Sequence, residues 1–143
     1  MGSDITEALR NEVARRAHHR CEYCLIHEDD IAFRPHVDHI LSRKHGGLSD
    51  IENLAYACVI CNRNKGSDIA SIASIDGGHG GEIVRLFHPR HDLWADHFQL
   101  DGCSIRAISD VGAATLELLR FNAPERLAER RLLQSLGSYP TNA

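Results

Sequence analysis

The apolar residues near the start of the chain recur at helical spacing, which predicts an amphipathic helix over residues 5–19. Four apolar residues fall on one face of this helix: Ile5, Leu9, Val13 and Ala17. Asp4 and Glu7 have the spacing of a capping box, so we expect Asp4 to cap the helix. The helix should then bury its apolar face and lead the chain toward Cys21.

Apolar and polar residues alternate over residues 36–41, which predicts a short strand. Val37, His39 and Leu41 lie on one face of this strand and His36, Asp38 and Ile40 on the other. Because neighbouring residues of a strand face opposite ways, Asp38 and His39 need a twist or a bulge to reach the same ligand. A loop that is basic at its start should follow, and residues 62–72 should form a short helix.

The C-terminal part of the sequence combines strand and helix patterns. Strands are expected over residues 83–87, 94–100 and 104–108, with Asp101-Gly102 as a hairpin turn. Ser109 should cap a helix over 110–119, and Asn122 should cap a final helix that begins near Pro124. The arginines of that helix are expected on a solvated face, with contact to phosphate or to a partner chain as the alternative: Arg126, Arg130 and Arg131.

The length of 143 residues and the hydrophobic content of 43% fit one compact domain or one domain with an appendage. Glycines are dense in the middle of the chain, and at that density they favour a loop over a helix or strand. We therefore divide the chain into a core over residues 1–75, a glycine-rich loop over 76–82, and an extension over 83–143 that packs on the core.

Two pairs of cysteines share the spacing of zinc knuckles. Cys21 and Cys24 form the first knuckle, and Cys58 and Cys61 form the second. Two residues between paired cysteines let one tight turn present both sulfurs to one ion, and Zn²⁺ prefers four such ligands in a tetrahedron. The pattern predicts a structural zinc site, without which the core should unfold. Cys103 is left over as a buried or idle thiol.

Charge and hydropathy indicate where in the cell the protein resides and how it could bind nucleic acid. No apolar run approaches the roughly 20 residues of a membrane span, and the first residues lack the pattern of a signal peptide. We therefore expect a cytoplasmic protein with no membrane partner, in which the cysteines are reduced. The 16 basic and 20 acidic residues give a net charge of −4, so any nucleic acid must be bound by local basic patches.

Between and around the knuckles the chain contains, in order, Asp38-His39-Ile40, Gly46-Gly47, Asn53-Leu54, Cys58-x-x-Cys61-Asn62 and Lys65-Gly66. This series of motifs resembles the HNH endonuclease family, and the resemblance spans about residues 21–66. It implies an α+β protein with a ββα-metal, treble-clef-like core. The N-terminal helix and a C-terminal β-hairpin plus two-helix extension are added to that core.

The resemblance also implies an active site that cleaves DNA by a one-metal mechanism. His39 is expected to act as general base, since imidazole titrates near neutral pH. Asp38 and Asn62 are hard oxygen donors suited to a catalytic Mg²⁺ or Mn²⁺. Asn53 is expected to tie the active-site loop by side-chain hydrogen bonds and so to orient His39. The family often has a histidine at the position of Asn62, so this chain has the His-Asn-Asn variant of the pattern.

Four basic residues beside the motif are candidate nucleic-acid contacts: Arg43, Lys44, Arg63 and Lys65. Cleavage of both DNA strands would favour a homodimer, and a partner protein from a larger system is the other expected association. His36 stays outside the proposed site as a hydrogen-bonding strand residue.

Other interpretations remain open on sequence grounds. A zinc-dependent nucleic-acid-binding module without catalysis would share the knuckles, and a thiol redox protein is disfavoured by their pairing. A second metal site would draw on three histidines of the extension: His88, His91 and His97. Packing or DNA contact is the competing explanation for these histidines.

Overall fold

The computed structural model describes residues 5–73 and 81–141 of the chain. Within these residues there are four α-helices and six strands, and the strands pair into three separate two-stranded antiparallel sheets. The elements in chain order are α1 Glu7–Arg16, β1 His36–His39, β2 Leu54–Ala57, α2 Val59–Lys65, β3 Ala70–Ile72, β4 Ile83–Arg85, β5 Phe98–Asp101, β6 Ser104–Ala107, α3 Asp110–Leu119 and α4 Pro124–Ser135. Residues 76–80 of the predicted glycine-rich loop lie outside the described ranges. No helix within these ranges is both long and apolar enough to cross a membrane.

Helix α1 begins later than its pattern predicted, because Thr6 caps it. The Thr6 side chain accepts an amide hydrogen bond at 3.1 Å, and Asp4, the predicted cap, lies outside the described residues. The helix ends at Arg16 instead of continuing to residue 19. His18 and His19 follow with φ angles of 57° and 61°, and these left-handed residues turn the chain into the first knuckle.

The apolar face predicted for α1 is confirmed, since it packs against β2. The cluster consists of the buried residues Val13, Ala14, Ala17, Leu54 and Tyr56, with Ile5 and Leu9 packed partly buried against it. Arg16 reinforces this contact, because its guanidinium donates to the carbonyl of Ile51 at 2.8 Å. The helix thereby supports the hairpin from which the candidate site is built.

Strands β1 and β2 form an antiparallel hairpin whose register places Asp38 opposite Ala55 and His39 opposite Leu54. The pairing is continuous from residue 36 to residue 39, so the hairpin contains no bulge there. The strand is shorter than the predicted 36–41, and the Asn53 carbonyl accepts the Ile40 amide at 2.8 Å just beyond its end. Strand β2 is buried along its whole length.

Helix α2 begins within the second knuckle, so the predicted helix over 62–72 was wrong at both ends. The Cys58 sulfur caps the helix by accepting the Cys61 amide at 3.4 Å, an interaction that sequence patterns of oxygen caps do not reveal. The helix ends at Lys65, where Gly66 takes a φ of 52°. The residues beyond form β3, which pairs with β4.

The hairpin of the extension is confirmed, although its strands differ in extent from the prediction. Strands β5 and β6 are joined at Asp101-Gly102, where Gly102 has a φ of 62°. The predicted strand over 94–100 is wrong at its start, because Trp94–Asp96 form a 3₁₀ turn. Strand β4 pairs with β3 of the core and not with this hairpin, so the three predicted strands do not form one unit.

Helix α3 has the predicted bounds, and Ser109 caps it by accepting the Gly112 amide at 2.9 Å. The predicted cap of α4 was wrong, because Ala123 occupies the cap position and Pro124 the first turn. The Asn122 side chain instead accepts the Ile105 amide at 3.0 Å and donates to the Ile105 carbonyl at 2.7 Å. Asn122 therefore joins the start of α4 to strand β6.

Two of the α4 arginines are buried, which corrects the expectation of a solvated face. Arg126 and Arg130 are 5% and 2% exposed, whereas Arg131 is exposed. Arg130 donates to the Cys103 carbonyl at 2.7 Å and to the Asn122 side-chain oxygen at 3.0 Å. Both groups lie inside the fold, so these guanidinium groups serve internal contacts.

The extension packs directly around the cysteines. One apolar cluster contains all four knuckle cysteines together with aromatic residues of the extension: Phe87, Phe98, Phe121 and Tyr139. Three side chains of the extension also bond to the first knuckle: Arg90 forms an ion pair with Glu22, Trp94 donates its indole N–H to the Tyr23 carbonyl at 2.8 Å, and the Tyr139 hydroxyl donates to the Cys24 carbonyl at 2.7 Å.

We expect Asn122→Ala to lower the free energy of unfolding by roughly 1–3 kcal/mol, because it leaves the Ile105 amide and carbonyl without partners. Asn122→Asp distinguishes the hydrogen bonds to Ile105 from a helix-capping role of Asn122. Aspartate caps a helix as well as asparagine does, but it cannot donate to the Ile105 carbonyl. Urea denaturation of both variants is the measurement, and an Asp variant as stable as the parent would contradict the bracing role.

Candidate metal centre and catalytic cleft

The four knuckle sulfurs converge on one point. Cys21, Cys24, Cys58 and Cys61 are all buried, and their sulfurs lie within 4.8 Å of one another. Each knuckle is closed by backbone amides that donate to a sulfur, among them Cys24 to Cys21 at 3.5 Å and Cys61 to Cys58 at 3.4 Å. In the described ranges no other group of histidine, cysteine or acidic side chains meets the geometry of a metal site.

The sulfur spacing fits zinc. The sulfurs of Cys24 and Cys58 are 3.8 Å apart, and a tetrahedral ion with bonds of about 2.3 Å separates its sulfurs by about 3.8 Å. Burial raises the pKa of the Cys21 and Cys61 thiols, whereas hydrogen bonds from the other cysteines lower the pKa of Cys24. Four thiolates at this spacing require a cation between them. The cysteines are therefore positioned to form a structural zinc site, as the sequence predicted.

The three histidines that were considered for a second metal site contact each other and neighbouring protein groups. The rings of His88 and His91 stack with centroids 4.0 Å apart, and His88 Nδ1 accepts the Arg90 amide at 3.2 Å. His97 Nδ1 lies 2.6 Å from the Ser109 hydroxyl. The contacts of these histidines are consistent with the packing alternative.

A polar cleft of about 330 Å³ lies between β1 and the C-terminal half of α2. It is lined by His36, Val37, Asp38, His39, Ser42, Arg43, Asn62, Gly66 and Ser67. The cleft thus brings together three of the four predicted catalytic residues, and Asn53 is the one that does not line it. Asp38 and His39 both reach the cleft although their strand has no bulge.

Asp38 is held by a buried ion pair that the sequence did not reveal. Its Oδ2 lies 3.1 Å from Lys65 Nζ, and the two side chains are 9% and 2% exposed. Lys65 Nζ also donates to the His39 carbonyl at 3.1 Å. Burial raises the pKa of Asp38 above its usual value, although the nearby ammonium acts against this shift. Oδ2 has no aligned hydrogen bond, so the contact with Lys65 is a charge interaction.

The prediction that Lys65 contacts nucleic acid therefore needs correction. Its ammonium is buried against Asp38 and the backbone of His39, where an incoming phosphate does not reach it. Arg43, Lys44 and Arg63 are exposed, and of these Arg43 lines the cleft. Their contact with nucleic acid stays a prediction.

His39 is half-buried, and its Nε2 lies 2.9 Å from the Ser49 hydroxyl. Burial lowers the pKa of His39 below its usual value, while Asp38 acts to raise it. The ring is therefore neutral over more of the pH range than a free imidazole. The sequence analysis missed Ser49, since a serine in a polar loop carries no signal that distinguishes it from its neighbours.

Asn53 braces the loop that connects β1 to β2. Its Oδ1 accepts the Leu41 amide, and its Nδ2 donates to the carbonyls of Leu41 and Leu48, each at 2.9 Å. A β-carbon on Gly47 would lie 1.6 Å from the Leu41 carbonyl oxygen and 2.8 Å from Asn53 Nδ2. Only glycine fits at this position, so the backbone of the loop is held close to the brace.

These features define a small mixed α/β domain that has a cysteine metal centre and an adjoining polar cleft. Residues 21–68 match the family model described as HNH endonuclease, and the match includes the four cysteines and the residues that line the cleft. This segment is thus similar to the HNH endonuclease family, and its hairpin and helix are consistent with an HNH-type fold. No curated protein and no solved structure matches the chain.

We expect the purified protein to contain stoichiometric zinc and Cys58→Ala to lose it, since three sulfurs do not complete the tetrahedron. Cys103→Ala is the matched control, because Cys103 is not part of the cluster. Elemental analysis of metal content and circular dichroism after treatment with a strong chelator are the measurements. Retention of zinc by Cys58→Ala, or loss from Cys103→Ala, would contradict the assignment.

We expect Asn53→Asp to loosen the loop over residues 42–49, because aspartate cannot donate to the Leu41 and Leu48 carbonyls. Hydrogen exchange of the Leu41 amide should become faster while the zinc content stays unchanged. Asn64→Asp is a suitable control, since Asn64 donates only to the Leu119 carbonyl at 2.9 Å. Equal exchange at Leu41 in both variants would show that Asn53 does not brace the loop.

Proposed function

We propose that the protein is an HNH endonuclease that hydrolyses phosphodiester bonds in DNA by a one-metal mechanism. The observation that carries the proposal is the convergence of Asp38, His39 and Asn62 on one cleft inside the segment that is similar to the HNH family. In this proposal β1, β2 and α2 form a ββα-metal unit, with the zinc centre as its structural support. An acid, an imidazole and an amide in one polar cleft are the groups that such a hydrolysis needs.

The donors in the cleft suit a hard divalent cation such as Mg²⁺ or Mn²⁺. Asp38 offers a carboxylate that Lys65 holds in place at Oδ2, and Asn62 offers an amide oxygen on the opposite wall. When bound, the cation would stabilise the charge that develops on the phosphate and on the leaving oxygen. Lys65 would keep Asp38 ionised despite its burial and hold it in position.

His39 would take the proton of the attacking water. Its contact with Ser49 fixes the ring through Nε2, which leaves Nδ1 to accept the proton. Asn53 does not line the cleft, so its role is to hold the loop that carries Ser49 at the right distance from β1. The expected products carry a 5′-phosphate and a 3′-hydroxyl.

The DNA backbone would be bound by exposed cations near the cleft. Arg43 lines the cleft, Lys44 is its exposed neighbour in the chain, and Arg63 is exposed on α2. With a net charge of −4, the chain gains little from long-range attraction to DNA. We therefore infer that affinity depends on these few contacts and falls with increasing salt.

Cleavage of supercoiled plasmid by zinc-loaded protein tests the proposal. Cleavage should require added Mg²⁺ or Mn²⁺, and His39→Ala should lower the rate by about 10²–10⁴-fold, the usual contribution of a general base. His91→Ala is the matched control, because His91 is exposed and lies outside the cleft. Zinc content and circular dichroism should be unchanged in both variants.

Two results would contradict the proposal. A folded, zinc-loaded His39→Ala protein that cuts as fast as the parent would remove His39 from catalysis. DNA binding by zinc-replete parent protein without cleavage in either cation would favour the alternative, a zinc-dependent nucleic-acid-binding module.

A further inference from the structure

Arg126 of α4 lies against the metal centre, although it belongs to the extension and lies outside the matched domain. We propose that Arg126 is an outer-sphere partner of the zinc site: its guanidinium donates to the Cys61 sulfur, offsets the negative charge of the thiolates, and thereby sets how firmly the metal is held. This inference concerns the metal centre and does not depend on the catalytic proposal.

The geometry places one nitrogen of Arg126 at two sulfurs. Nη2 lies 3.1 Å from the Cys61 sulfur and 3.8 Å from the Cys58 sulfur, and the side chain is only 5% exposed. Four thiolates around one Zn²⁺ leave a net charge of about −2 in an apolar core. A buried guanidinium beside the sulfurs offsets half of that excess charge.

The guanidinium is fixed in this orientation by its other nitrogen. Nη1 donates to the Leu119 carbonyl at 2.7 Å and to the Arg120 carbonyl at 3.3 Å, both at the C-terminal end of α3. The Phe121 ring lies 5.9 Å from the guanidinium carbon. The planar guanidinium of arginine donates to the sulfur and to the carbonyls at the end of α3 at the same time, which a lysine ammonium does not do.

Among the ion pairs of the described residues none involves Arg126, and the nearby acid Glu129 lies only within electrostatic range of it. The adjacent apolar cavity of about 440 Å³ is lined by Cys24 and Cys58 and by both buried arginines, Arg126 and Arg130. A small chelator or thiol reagent can therefore approach the sulfurs from the side that Arg126 occupies. Loss of the guanidinium should both weaken the metal–sulfur centre and expose it.

Arg130 provides a matched control one turn further along α4. It is as deeply buried as Arg126, at 2% exposure, and it bonds to the Cys103 carbonyl and the Asn122 side chain, not to a sulfur. Removal of either arginine should destabilise the fold. Only removal of Arg126 should change the electron density on the sulfurs and how firmly they hold the metal.

The test compares Arg126→Met and Arg130→Met in the full chain, with zinc and with Co²⁺ in its place. We expect Arg126→Met to shift the sulfur-to-cobalt charge-transfer band to longer wavelength, because a thiolate that loses a hydrogen bond gives up electron density more easily. Zinc transfer to a chromogenic chelator should become roughly 10–100-fold faster, the usual effect of losing a partner of a metal ligand. Arg130→Met should match the parent in both measurements despite a lower melting temperature.

The proposal is overturned if the two methionine variants give the same band position and the same rate of zinc transfer. Should Arg126→Met not fold, Arg126→Lys and Arg130→Lys replace the pair, since both keep a positive charge. Faster zinc transfer from Arg126→Lys than from Arg130→Lys would support the proposal, and equal rates would overturn it.

Discussion

Four sulfurs must meet within one tetrahedron, and this constraint fixes the ends of the elements around it. The left-handed residues after α1 turn the chain into the first knuckle, and the Cys58 sulfur starts α2 directly after β2. The hairpin β1–β2 is thereby held against α2. The cleft lies between that hairpin and α2. Its geometry therefore depends on the metal centre, although no cysteine lines it.

The second constraint is the cost of burying charge. The fold encloses Asp38 with Lys65, Glu22 with Arg90, and the cysteine sulfurs with Arg126. Each pair leaves a strongly destabilised charge if one member is removed, so each ties two parts of the chain together. Lys65 links α2 to β1, and Arg90 and Arg126 link the extension to the knuckles. Cations used in this way are not available for the proposed nucleic-acid binding, which leaves exposed residues such as Arg43 for that role.

Cysteine spacing predicted the metal centre, and the family resemblance carried by short motifs predicted Asp38, His39 and Asn62, which line the cleft. Neither predicted which charged residues are buried. Lys65, Arg126 and Asn122 each have contacts with residues distant in the chain, so their neighbours in sequence indicated a surface contact or a cap. The predicted bounds of α2 were wrong because a cysteine sulfur caps this helix, whereas the sequence patterns that mark helix starts rely on a side-chain oxygen.

The loop after β1 shows how a precise site can be built on irregular backbone. An imidazole that is to act as general base, as proposed for His39, must be held within a fraction of an ångström, and loops alone do not provide that. Here the three Asn53 hydrogen bonds and the close approach at Gly47 bind the loop to itself, while Lys65 binds the His39 carbonyl from α2. Ser49 lies between these two fixed points and contacts the His39 ring. The orientation of His39 therefore derives from the hairpin and the helix together, and through α2 from the cysteine cluster that anchors its first turn.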